Sequence, residues 1–370
     1  MNRDKEMITY QQFFFLIIQT QLGVGVLSLP YVMHNSVHSD GWISVLLAGL
    51  LLQGVLFVYF MLFKRFKSRN ILDIAGLLFG KKIGKLITLF YILYFISVGS
   101  LILVLYARIV DRWILPHTPN WVICALLVVA GIYLSVDGLK ILARFYTLVT
   151  PLVILVVLLV SYTLKDANIY YIFPIGQAGI KNIVIGSKDA VLSMLGFEII
   201  LLTFPMVSGT NRQKFKAVSF ANLFITILYT YLVVVSFIYF SPEEIKILPE
   251  PLLYILKSYT FKIIERTDLL FLSIWIFLVF TSFGSYLFLA AKTGSKLFYK
   301  IKHRRLVYYF AFIIFGISFL PEFDIQFIDY MSSYIPKTSF IFILFPSFML
   351  IVSFLFKKSE QGCEANDSNS

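Results

Sequence analysis

Long apolar runs alternate with short polar segments along the whole chain, and charged residues collect in the segments between the runs. The runs have about the 20 residues that a helix needs to cross the hydrocarbon core of a bilayer. This pattern predicts an all-α integral membrane protein with about ten transmembrane helices in one polytopic domain, residues 1–356. We place the helices near 12–33, 42–63, 86–110, 119–136, 142–163, 186–206, 217–240, 269–291, 306–320 and 338–356.

The distribution of Lys and Arg predicts the orientation, because loops rich in these residues stay in the cytoplasm. The two densest clusters lie in residues 64–85 and 292–305. A cytoplasmic N-terminus and an even number of spans put both clusters, and also the C-terminus, on the cytoplasmic side. The polar residues 357–370 are expected to form a short disordered cytoplasmic tail.

Composition agrees with a chain whose solvent is a bilayer. Hydrophobic residues make up 59% and charged residues only 14%, whereas a soluble domain has about 25% charged residues. The net charge of +12 is therefore attributed to topology and anionic headgroups rather than to a nucleic-acid partner. The four histidines form no metal-ligand set with a third residue, and no catalytic motif is present. We predict no catalytic residue, no metal and no cofactor.

Two of the predicted helices combine glycine near mid-membrane with proline further on. Helix one contains Gly23, Gly25 and Pro30, and helix six contains Gly196 and Pro205. Glycine allows the backbone to unwind, and an unwound segment persists in a membrane only where it borders a polar cavity. Breaks in matching positions of two halves indicate a transporter-type binding site. The alternative is that the glycines serve close helix packing and the prolines only kink the helices.

Glu198 is the one acidic residue that we place deep inside a predicted span. An ionisable group within a membrane is a functional hypothesis by default. The carboxyl is suited to pair with a ligand ammonium, to accept a hydrogen bond from a hydroxyl, or to carry a proton. The alternative is a structural carboxyl that bonds to a neighbouring helix.

Several stretches together resemble the spore germination receptor B-subunit family, within the amino acid–polyamine–organocation (APC) transporter superfamily. The resemblance covers essentially the whole chain, including its length and its ten spans. The glycine-rich stretch of helix one alone indicates only the superfamily, and the combined set is more specific. The stretches are residues 23–30, 40–43, 195–198, 265–266, Trp275 and 281–283.

The resemblance implies a LeuT-like fold of two inverted five-helix repeats (5+5), with discontinuous helices 1 and 6. It implies residence in the inner membrane of a dormant endospore, in complex with a germinant receptor A subunit and a lipoprotein C subunit. The chain would bind a small-molecule germinant, namely an amino acid, a sugar or a nucleoside, and would trigger spore germination.

The resemblance also implies a ligand pocket between helices one, three, six and eight. The matching positions are Gly23, Val24, Gly25, Val98, Leu195, Gly196, Glu198, Ser282 and Tyr286. Val98 and Leu195 would form apolar walls, whereas Ser282 and Tyr286 would make polar contacts. Two other functions remain open on the sequence: an amino-acid permease with the same architecture, and a scaffold that only positions a partner.

Overall fold

The computed structural model describes residues 7–259, 266–320 and 326–358. Glu265, which contributes to the resemblance, and residues 359–370 of the expected tail lie outside the described residues. The helices in the described part are α1 (Tyr10–Gln21), α2 (Gly25–Val37), α3 (Gly41–Arg65), α4 (Ile71–Trp113), α5 (Asn120–Val136), α6 (Leu139–Val149), α7 (Leu152–Tyr162), α8 (Gly179–Ser193), α9 (Ile200–Thr203), α10 (Asn211–Tyr239), α11 (Pro242–Ile245), α12 (Pro251–Lys257), α13 (Thr267–Leu297), α14 (His303–Ile317) and α15 (Gln326–Leu355).

Polar side chains define where several of these helices begin. In each case an N-cap side chain accepts a hydrogen bond from the third residue of the helix, whose own side chain bonds back to the N-cap backbone. This reciprocal pair satisfies two of the amide groups that a helix start leaves without partners. Such boxes begin α1 (Thr9 with Gln12), α4 (Asn70 with Asp73), α10 (Thr210 with Gln213) and α11 (Ser241 with Glu244).

By length and composition, six segments of the described chain are long and apolar enough to cross a membrane, and a bent helix pair makes a seventh. The bent pair is 179–193 with 197–206, and its two halves meet at 61°. The longest stretch, Gly25–Arg65, would be about 60 Å long as a straight helix, twice the hydrocarbon thickness. His38, a residue with a positive φ of 54°, divides it into α2 and α3.

Two predicted helices differ from the structure in their continuity. In the predicted span 142–163 the helical hydrogen bonding is interrupted at Pro151, between α6 and α7, because proline removes a backbone donor and clashes with the preceding turn. Thr150 and Pro151 keep helical φ/ψ angles, and Leu139–Asp166 remains one span. The predicted span 86–110 lies inside the much longer α4, whose first two turns are set off by a kink at Gly80 (φ 86°, ψ 165°). Residues 71–79, before Gly80, are therefore attached directly to the third span.

Close helix contacts hold the bundle together at glycine. A Cβ atom at Gly49 of α3 would lie 2.2 Å from the Thr226 hydroxyl oxygen of α10, and the Asn222 amide donates to the Gly49 carbonyl at 3.0 Å. In a bilayer there is no hydrophobic gain from bringing helices together, so van der Waals contact and hydrogen bonds between helices carry the association. The α3–α10 contact depends on both.

We expect Gly49→Ala to lower the free energy of unfolding by about 1–3 kcal/mol, because the added methyl group overpacks the contact. The measurement is thermal unfolding of the purified protein in detergent. Gly54→Ala is the matched control, since Gly54 lies on the same helix and a Cβ there would meet nothing within 4 Å. Equal melting temperatures for the two variants would contradict the proposed role of the contact.

Candidate functional site

The first break in the bundle separates α1 from α2. Helix α1 ends at Gln21, and α2 begins at Gly25. Between them, Leu22 is extended (φ −79°, ψ 96°). A break of this kind leaves the last carbonyl groups of α1 and the first amide groups of α2 without helical partners.

Hydroxyl groups of three residues on other helices form hydrogen bonds with the end of α1, where the last carbonyl groups lack helical partners. Two come from neighbouring residues of α13 and one from α10, so the break is held from two sides. In hydrocarbon these carbonyls would otherwise cost several kcal/mol each. The Ser282 hydroxyl donates to the Thr20 carbonyl (3.1 Å) and the Tyr229 hydroxyl to the Gln21 carbonyl (2.9 Å). The Thr281 hydroxyl lies 2.9 Å from the side-chain oxygen of Gln19 and 3.3 Å from its carbonyl.

The second break separates α8 from the turn that begins at Phe197 and leads into α9. Gly196, at φ 125°, makes the reversal. A Cβ atom at Gly196 would lie 2.4 Å from the Thr20 carbonyl oxygen, so the two breaks touch through backbone atoms at this point. Both the positive φ and the close approach require glycine here. The prediction that helices 1 and 6 are discontinuous is thus confirmed.

Glu198 stabilises the second break through hydrogen bonds. Its side chain is fully buried. One carboxyl oxygen accepts the Gly196 amide at 2.5 Å, and the other accepts the Tyr94 hydroxyl at 2.5 Å. The Tyr286 hydroxyl lies beside the same carboxyl. The carboxyl therefore satisfies an amide that the break exposes and connects it to α4.

A cavity of about 370 Å³ lies between the two breaks. Most of the residues predicted from the sequence line it, including those from helices three and eight. The lining set contains Gly23, Val24, Gly25, Val98, Leu195, Ser282 and Tyr286. Gly196 and Glu198 do not line the cavity. They lie behind its wall, where they shape the second break.

The sequence analysis missed polar residues that also line the cavity. Asp189 is the one charged side chain in the described lining, and Ser28 and Ser193 add hydroxyls. The Ser36 hydroxyl donates to the Asp189 carboxylate at 3.0 Å. Helical spacing carried a signal for Asp189, because it stands one turn before Ser193, where α8 ends at the break.

Gln21 connects the two breaks and leaves one polar atom without a protein partner. Its amide nitrogen donates to the Met194 carbonyl at 2.9 Å. Its Oε1 atom is buried and has no hydrogen-bond partner among the described residues. A buried acceptor without a partner costs about 1–3 kcal/mol, so a ligand donor at this lining residue would remove that cost.

The cavity is connected towards one face of the bundle. A neighbouring cavity of about 240 Å³ shares Val24, Gly25 and Ser28 with it. This second cavity is lined at its far end by Arg112 and Glu250, which form an ion pair with a 3.0 Å nitrogen–oxygen distance. The ion pair lies where α4 ends and α12 begins.

Backbone pairing closes the opposite side of the cavity. The Ile8 amide donates to the Met206 carbonyl at 3.0 Å, and the Ser208 amide donates to the Ile8 carbonyl at 2.8 Å. The largely buried Lys214 ammonium donates to the Phe204 carbonyl at 3.3 Å. The segment before α1 and the segment after α9 are thus tied together, and the cavity opens towards the other face.

Comparison with known sequences decides the family. The Spore_permease family model, described as spore germination protein, matches residues 7–327. The chain belongs to the spore germination protein family. The membership expected from the sequence motifs is therefore confirmed, and the match covers both broken helices of the chain.

Curated relatives in Bacillus agree with this membership. Spore germination protein GerQB of Bacillus cereus is 29% identical over 83% of this chain and 84% of its own length. Spore germination protein A2 of Bacillus subtilis (strain 168) is 30% identical over 76% of this chain and 78% of its own length. Spore germination protein YndE of the same strain is 28% identical over 96% of this chain and 98% of its own length.

Solved structures of transporters share the fold. MhsT in complex with L-phenylalanine superposes with a TM-score of 0.64 at 15% identity, covering 85% of this chain and 79% of MhsT. A Na⁺-coupled sialic acid symporter superposes with a TM-score of 0.68 at 13% identity, covering 95% of this chain and 79% of the symporter. The chain is therefore a multi-pass membrane protein with the LeuT-like fold that the family resemblance implied.

We expect Gly196→Ala to abolish the contact between the two breaks. It should lower the free energy of unfolding by more than the roughly 1 kcal/mol that a side chain at a glycine position of positive φ costs by itself. The reason is that the methyl group meets backbone rather than a flexible side chain. Thermal unfolding in detergent measures the effect. Gly176→Ala is the control, because Gly176 has a φ of 90° with nothing within 4 Å of a Cβ. Equal destabilisation of both variants would show that the close approach to backbone atoms does not cause the effect at Gly196.

Proposed function

We propose that this chain is the B subunit of a nutrient-germinant receptor. It binds a small metabolite in the cavity between the broken helices and thereby triggers spore germination. Family membership supports the biological process, and the cavity supports the binding role. The single observation that carries the proposal is the cavity of about 370 Å³ between two backbone breaks, which suits a metabolite of amino-acid or sugar size.

The two breaks give the ligand differently charged surroundings. The start of α2 at Gly25 carries the partial positive charge of a helix N-terminus, and the end of α8 at Ser193 carries the partial negative charge of a C-terminus. Gly23, Val24 and Gly25 offer backbone to the ligand in this proposal. The other proposed contacts are apolar walls and hydroxyls, namely Val98, Leu195, Ser282 and Tyr286.

The proposed direction of binding follows from the two faces of the cavity. The germinant enters past Arg112 and Glu250, because the other face is closed by the pairing of Ile8 with the segment after α9. A ligand shifts a conformational equilibrium only by its difference in affinity for the two states. Here the germinant draws α2 and α8 together at the cavity, and partner subunits respond to that arrangement.

The proposed setting is the inner membrane of the endospore, with both termini in the cytoplasm. The basic clusters at residues 64–85 and 292–305 support this orientation through the excess of Lys and Arg in cytoplasmic loops. The proposed partners are a receptor A subunit, a lipoprotein C subunit and the surrounding lipid. The germinant is the small-molecule partner.

The competing proposal is an amino-acid permease, which the transporter fold of the solved structures favours. Solute flux separates the two proposals. Purified chain reconstituted into vesicles accumulates solute if it is a permease. A receptor subunit binds the same solute, detected by a ligand-induced rise in melting temperature, without net uptake. Net uptake of the solute that the chain binds would contradict the receptor proposal and support the permease.

Gly25→Leu is expected to fill the cavity and to abolish the germination response at normal protein abundance. A Cβ at Gly25 lies 3.3 Å from the Ser193 carbonyl oxygen, so a larger side chain must extend into the space between the breaks. Spores that carry the variant are scored by loss of optical density with each germinant. Gly54→Leu, at an exposed position of α3, should respond as wild type. A normal response of Gly25→Leu spores would place the ligand elsewhere.

The acceptor groups of the cavity favour a germinant that carries an ammonium group. The Gln21 Oε1 atom has no donor among the described residues, and the Asp189 carboxylate, which accepts the Ser36 hydroxyl, can accept further donors. A hydrogen bond to a charged group contributes about 1.5–3 kcal/mol. Asp189→Asn should therefore raise the concentration of an amino-bearing germinant needed for half-maximal response by at least about tenfold. Responses to uncharged germinants should not change. An unchanged dose response for every amino-bearing germinant would exclude Asp189 as a contact.

A further inference from the structure

A groove of about 680 Å³ runs along the outside of the bundle between α1 and α10. It is larger than the central cavity and lies on a different side of α1. Its walls are bulky and apolar, with Phe15, Phe220, Leu223 and Ile227 among them. Phe220, Leu223 and Ile227 are each more than half exposed, so the groove faces the surroundings of the protein within the membrane.

The groove has a polar end and an apolar end. Gln11, Gln213 and Lys216 line it near the start of α1 and the start of α10. From Lys216 to Ile227 a helix rises about 16 Å, which is half of the about 30 Å hydrocarbon core. The groove therefore extends over one leaflet, from the level of the headgroups to the middle of the bilayer.

The walls of the groove fit an acyl chain better than a partner helix. Helix contacts in membranes are enriched in small residues that let two backbones approach. In this groove Ala217 is the one small residue of the described lining, and five aromatic side chains occupy most of the wall. A narrow flexible chain can follow such a wall, whereas a helix would be held away from it.

The charge at the polar end favours an anionic headgroup. Lys216 is exposed, and Arg212 stands one turn earlier on the same face of α10. In the described residues no carboxylate forms an ion pair with either side chain. Two unpaired cations at the headgroup level attract anionic lipid, and zwitterionic lipid gains much less from them.

We propose that this groove binds one anionic phospholipid, with an acyl chain between α1 and α10 and its phosphate at Lys216. The site is separate from the germinant cavity, and it does not depend on the proposed function. It nevertheless lies against α1, the helix whose far end forms the first break. A bound lipid thereby supports the short helix that must stay in place for the cavity to exist.

The test measures lipid that the full-length chain retains after transfer from nanodiscs of equimolar phosphatidylglycerol and phosphatidylcholine, counted by native mass spectrometry. The wild-type chain should retain phosphatidylglycerol in excess. Lys216→Glu should lower that excess about fivefold or more, since one basic residue near the surface is worth about that factor. Leu223→Trp should fill the groove and lower the number of retained lipids of both kinds.

Lys300→Glu is the matched control, because Lys300 is exposed in the turn after α13 on the same side of the membrane and is not part of the groove. Retention by this variant should equal that of the wild type. Equal retention of the two lipids by the wild type, or equal effects of Lys216→Glu and Lys300→Glu, would overturn the proposal. Because Lys216 lies at the surface, the charge variant keeps the test valid even if Leu223→Trp fails to fold.

Discussion

The structure depends on one constraint, which is that hydrocarbon provides no hydrogen-bond partner for an exposed backbone group. Each broken helix must therefore find partners for its free carbonyls and amides inside the protein. At the first break, hydroxyl groups of α13 and α10 donate to carbonyl groups of α1. The Ser282 hydroxyl, for example, donates to the Thr20 carbonyl. In the second, Glu198 accepts the Gly196 amide. The cavity lies between the two breaks, whose backbone groups form these hydrogen bonds within the protein.

This constraint explains why the polar residues of the core have two kinds of role. Thr281 and Ser282 donate to α1, so their hydroxyls are already engaged in holding the break. Glu198 is similarly engaged with Tyr94 and Gly196. Among the lining residues of the described chain, the Gln21 Oε1 atom and the Tyr286 hydroxyl have no hydrogen-bond partner, and the Asp189 carboxylate can accept donors beyond Ser36. Polar character alone does not distinguish the two roles, whereas the hydrogen-bond partners do.

The sequence predicted the helical membrane fold and both breaks, because glycine and proline act locally and apolar runs are long. It could not predict which hydroxyl meets which carbonyl, since Thr281 and Gln19 lie far apart in the chain. Asp189 was overlooked because it stands near the end of an apolar run, where a charge looks like a loop residue. Glu198 was correctly singled out as a buried ionisable group, but its position behind the wall follows only from the turn at Gly196.

The unequal closure of the two faces bears on how a transporter fold would serve as a receptor. A transporter must release its ligand on the second side, which here requires separating Ile8 from the segment after α9 and withdrawing Lys214 from the Phe204 carbonyl. A receptor needs no such opening. In the proposed receptor, the germinant binds at the breaks beside α2 and α8, and a partner subunit would respond at the face where Arg112 meets Glu250. A transporter of this fold in its outward-open state also has a closed opposite face, so solute flux, and not this closure, separates a permease from a receptor.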